Sequence, residues 1–103
     1  MASDGIVCLI TASKFEEAEL IANALVEKKL ASCCSIIRGV VSIYEWEGKI
    51  NRSEECQLIV KTNGEKLDRL VATAKKLHSY EVPEIIALPI IGGLPSYLSW
   101  LDK

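Results

Sequence analysis

Apolar and polar positions follow two rhythms along the chain, and the switches between them predict its elements. Gly5 to Thr11 is a short, nearly continuous apolar run, the pattern of a strand covered on both faces or by a neighbouring chain. Ser13 and Glu16 then have capping-box spacing. Phe15, Ala18, Ile21, Ala22, Leu25 and Val26 repeat at helical spacing, which predicts a helix from about Lys14 to Lys28. Ala31 to Trp46 is rich in Ile, Val, Cys and Ser. Glu47 and Gly48 interrupt it, and Lys49, Ile50 and the run Cys56 to Val60 complete a long hairpin. Gly39 marks a bulge in the first arm, Glu47 and Gly48 the turn, and Asn51 to Ser53 a second irregularity. Leu67, Leu70, Val71, Ala74 and Leu77 predict a second helix. Glu84 to Ile91 is extended, with Pro89 tolerable only near an edge or at a bulge, and Pro95 starts a short terminal helix through Leu101.

Strand, helix, strand, strand, helix, strand, with a helical tail, is the ferredoxin-like βαββαβ order of an α+β fold, with two helices on one face of an antiparallel sheet. A length of 103 residues suits one domain spanning 1–103. The opposite sheet face is left bare, and 50% of the residues are hydrophobic, so a second copy is expected to cover part of that surface. The overlong hairpin can serve the same end by adding strands to a neighbour's sheet.

Twelve Lys and Arg against fourteen Asp and Glu give a formal charge of −2, with no basic run beyond Lys28, Lys29 and Lys75, Lys76, which argues against nucleic acid. No apolar stretch approaches the roughly 20 residues of a membrane span, and the start lacks a secretory pattern, so a cytoplasmic location is expected. The four cysteines lack C-x-x-C spacing and read as reduced thiols.

Ferredoxin-like domains host many chemistries, so the residues must discriminate. Gly5 to Thr11 and Cys56 to Thr62 carry no aromatic on which bases could stack. The loop Ala12, Ser13, Lys14 has neither the Arg of an acyl-phosphate hydrolase nor the thiol pair of a copper-transfer domain. No nucleophile and histidine have the sequence logic of a catalytic triad, so no enzymatic activity is expected. Cys33 and Cys34 point to opposite faces of their strand, so only one can belong to a given site. His78, the sole histidine, with Cys33 and Glu84 makes a ligand set of mixed softness suited to Cu2+ or Zn2+. A histidine simply closing the helix C-terminus is the competing reading. Glu45, Glu47, Glu54 and Glu55 crowd the hairpin, either to attract divalent cations or to guard strand edges. Trp46, beside the turn, is too large for a bare tip and calls for a neighbouring subunit.

Several of these segments, in this order, resemble the CutA divalent-cation tolerance family. They are Ala31, Ser32, Cys33; Tyr44 to Ile50; Lys61, Thr62; His78 to Glu84; and Tyr97 to Trp100. The resemblance implies a ferredoxin-like homotrimer similar to the PII signalling proteins, binding of divalent cations, and a role in tolerance of copper and other heavy metals. Within it, Trp46 to Lys49 match the family's turn, His78, Tyr80, Pro83 and Glu84 its histidine segment, and Cys33 the cysteine after the first helix. Some members carry a copper-associated cysteine just before the Thr that ends the first strand; Ile10 stands there, with Cys8 two residues earlier on the same face. The leading expectation is a non-enzymatic homotrimer that binds copper through His78, Cys33 and Glu84 near an inter-subunit cleft. The runner-up is a PII-like module taking an anionic small molecule through Lys61 or Lys49, and a third reading is a structural trimer.

Overall fold

A computed structural model describes residues 4–102. Its order is β1 (Gly5–Ala12), α1 (Phe15–Glu27), β2 (Cys33–Trp46), β3 (Lys49–Asn63), α2 (Leu67–Leu77) after one 3-10 turn, β4 (Ile85–Pro89) and α3 (Pro95–Leu101). The strands form one antiparallel sheet in the order β2-β3-β1-β4, which is the expected ferredoxin-like arrangement. β1 lies inside the sheet, between β3 and β4, with Cys8 and Ile10 on the face the helices cover and Val7 and Leu9 on the other. β4 is an edge strand, which is where Pro89, with no N–H to donate, can be accommodated.

Alternation along the strands separates two faces. Cys8, Ile10, Leu58 and Val60 are fully buried beneath Ala18, Ile21, Leu25, Leu70 and Ala74 of the two long helices. On the other face Ile37, Ile86 and Leu88 remain 47 to 49% exposed, although each lies in the sheet. No helix among the described residues is long and apolar enough to cross a membrane.

Two local expectations are corrected. The capping box does not form: Lys14 occupies the N-cap without a side-chain bond, and Ser13 instead gives its N–H and hydroxyl to Glu17, each at 3.3 Å. α1 ends on a double return, Lys29 N–H to Val26 O and Leu30 N–H to Leu25 O, with Lys29 at φ +60 where glycine is usual. The second hairpin irregularity, expected at Asn51 to Ser53, is also absent, since those residues pair in register with Tyr44, Ile43 and Ser42. The single shift lies in β2, where Arg38 and Gly39 stand opposite Cys56 alone and Gly39 takes φ +71. The turn follows expectation and adds to it, with both Glu47 (φ +51) and Gly48 (φ +78) left-handed, as a two-residue hairpin of type I′ requires.

Candidate functional site

The bulge at Gly39 decides what the hairpin presents. Before it, odd residues of β2 share the uncovered face with Gln57 and Ile59 of β3. After it the parity reverses, and Ser42, Tyr44 and Trp46 lie on that face opposite Ser53, Asn51 and Lys49. One extra residue thus turns two aromatics toward the end of β1, where the segment after α2 meets them. The result is an open cleft of about 940 Å³, lined by Thr11, Tyr44, Trp46, Glu55, Tyr80 and Glu84 among others.

Hydrogen bonds fix its walls. Tyr80 donates its hydroxyl to Glu55 Oε2 at 2.7 Å, and the Tyr44 and Ser53 hydroxyls are 3.0 Å apart. Burial, the bond to Glu55 and that residue's negative charge all push the Tyr80 phenol above its ordinary value, so it stays a donor. Behind the wall, His78 is 9% exposed. Its Nε2 lies against the Thr11 carbonyl, while Nδ1 accepts the Tyr80 N–H at 3.1 Å. That pairing assigns the proton to Nε2 and leaves neither ring nitrogen free. Glu17 of α1 completes the bracket by accepting the Ser79 N–H at 2.7 Å.

The residues expected to hold a metal are therefore placed as follows. Glu84 lines the cleft, as Thr11 does, and His78 lies behind it against the Thr11 carbonyl. Cys33 is on the same uncovered face, but it pairs with Lys61, which pairs with Val7, four residues before Thr11 and two strands from β1. With ordinary strand dimensions that is about 13 Å along the sheet and about 10 Å across it. The three do not converge within one chain, and no group of three or more His, Cys, Asp or Glu among the described residues is close enough to hold an ion. Cys34, on the helix face, is unsuited to ligation: burial, with smaller effects of Cys33 and Cys8, pushes its thiol up to about 12. Neither Lys61 nor Lys49 lines the cleft. Sequence reasoning missed Glu55 and Tyr80 as a pair because 25 residues separate them; the one signal was the glutamate crowding in the hairpin.

A ferredoxin-like sheet whose long hairpin walls an open, acidic and aromatic cleft defines the class of domain. The family model of the CutA1 divalent ion tolerance protein matches residues 6–103, and the chain belongs to that family. It is 47% identical over 97 residues to the divalent-cation tolerance protein CutA of Thermus thermophilus, covering 94% of each. It is 45% identical over 98 residues to the chloroplastic protein CutA of Arabidopsis thaliana, but spans only 54% of that protein's length. Among solved structures, CutA from Xylella fastidiosa superposes with a TM-score of 0.93 at 38% identity, covering 96% of this chain and 95% of that one.

Proposed function

We propose that the chain acts as a non-enzymatic, cytoplasmic homotrimer that binds a divalent cation, copper in the first place, and so contributes to metal tolerance. The observation that carries this reading is the position of the cleft at one end of an uncovered apolar sheet face. A neighbouring copy laid on that face would bury Ile37, Ile86 and Leu88, and the contact would run to the cleft's edge. The ligands proposed are Cys33, Glu84 and His78. Cys33 lies on that face and Glu84 lines the cleft at its end, so ligands too far apart within one chain can be supplied by two. His78 joins them only by giving up the Tyr80 N–H at Nδ1.

The test is titration of Cu(II) and Zn(II) into metal-free protein and into the Cys33→Ala, Glu84→Gln and His78→Ala variants. The reading expects copper affinity to fall in each, most in Cys33→Ala, with the trimer retained. Unchanged copper binding in all three removes the ligand set.

A further inference from the structure

We infer that the outer hairpin has two pairings open to it, and that Gly39 selects the observed one and so acts as a positioning residue for Tyr44 and Trp46. If the pairing that sets Ile37 opposite Gln57 ran on without an extra residue, Val41 would stand opposite Ser53, Ile43 opposite Asn51, Tyr44 opposite Ile50 and Glu45 opposite Lys49. Trp46, Glu47 and Gly48 would then form a three-residue turn. Such a turn is a common hairpin closure and needs a positive φ only at its last residue, here Gly48. The observed two-residue turn needs one at Glu47 as well, at φ +51, where a side chain is disfavoured. The alternative is well matched along its length, since Glu45 faces Lys49 and Tyr44 faces the β-branched Ile50. Burial within the chain does not choose between them: Val41, Ile43 and Ile50, on the other face of the observed hairpin, are 46, 70 and 75% exposed in the single chain. Two features favour the observed pairing. Gly39, at φ +71, absorbs the extra residue, and the Tyr44 and Ser53 hydroxyls meet at 3.0 Å, a contact the alternative breaks. In the alternative Val41 and Ile43 turn to the uncovered side, Tyr44 leaves it and Trp46 enters the turn. A Cβ at Gly39 would meet nothing within 4 Å, so a substitution there acts through the backbone conformation alone. The inference rests on strand pairing and not on the metal reading.

NMR of the native assembly reads the pairing through the cross-strand contacts of Tyr44, which in the unaltered chain run to Asn51. Gly39→Val should shift the ratio of the two pairings about tenfold toward the alternative, because a β-branched residue resists a left-handed backbone, and contacts of Tyr44 with Ile50 should appear. Gly39→Ala should do the same to a smaller extent, and it carries the test if the valine variant does not assemble. Deleting Gly39 should have the opposite outcome. The deletion removes the extra residue, sets Arg38 opposite Cys56 and Val40 opposite Glu55 in one regular ladder, and leaves Tyr44 opposite Asn51. Glu47→Asn, added to either substitution, should shift the ratio back about threefold, since Asn tolerates the left-handed turn position. Loss of stability alone would not give Tyr44 a new partner. The proposal is overturned if Tyr44 keeps Asn51 as its sole partner in both substituted chains, if the deletion moves it to Ile50, or if Glu47→Asn leaves the ratio unchanged.

Discussion

Replacing His78 separates a histidine that braces the fold from one that waits for a ligand. The ring makes two hydrogen bonds from a position only 9% exposed, to the Thr11 carbonyl and from the Tyr80 N–H. His78→Phe keeps most of the volume and loses both. At about 1 kcal/mol net per bond, plus part of the desolvation cost of leaving the Thr11 carbonyl unpaired, it should lower stability by about 2–3 kcal/mol. His78→Ala adds the loss of a buried ring and should cost about 3–4 kcal/mol. Urea denaturation of metal-free protein at one fixed chain concentration measures both, since assembly makes apparent stability depend on concentration. Hydrogen exchange at the Tyr80 amide should accelerate in both variants. If both remain within about 0.5 kcal/mol of wild type, as an ordinary surface substitution would, the bracket is not formed in solution.

Three further outcomes follow from individual contacts. Thr62, fully buried, donates its hydroxyl to Leu30 O at 2.7 Å; Thr62→Val should destabilise by about 1–3 kcal/mol in the same assay. Lys29→Gly should raise the urea midpoint, gaining up to about 1 kcal/mol, because glycine adopts φ +60 without the Cβ penalty. Burial opposes ionisation of Glu17, but the Ser79 hydroxyl and N–H, the Ser13 N–H and the nearby His78 together hold its carboxyl below the usual value. Its contribution is thus present above the unfolded-state pKa and lost as pH falls through the lower folded one. Glu17→Gln should flatten the acid limb of the stability profile by under about 1 kcal/mol, and an unchanged limb would contradict the bond to Ser79.

The fold was legible because its signals are local and repeated. The stripes through Ile21 and Leu25 and through Leu70 and Ala74 are long enough to fix both helices and the face they bury. Gly39 and Gly48 announced the bulge and the turn, since both need a backbone that side chains disfavour. The Ser13 and Glu16 spacing misled because Glu17, one residue on, reaches both Ser13 and the distant Ser79 and binds them together. The site was legible only in part. Glu84 lines the cleft and His78 lies behind it against Thr11, but Cys33 is carried away by the register of β2 on β3, which no local spacing encodes. The parity reversal at Gly39, which brings Tyr44 and Trp46 to the cleft, follows from a bulge whose location was expected but whose consequence depends on the pairing on either side.

Sedimentation of the purified chain, followed to high dilution, tests the central claim most directly: that the bare sheet face is completed by copies of the same molecule. The account predicts a species of three times the 11.3 kDa chain mass, which dissociates when Leu88→Lys puts a charge on that face. A folded, monodisperse species of single-chain mass at every concentration would contradict it.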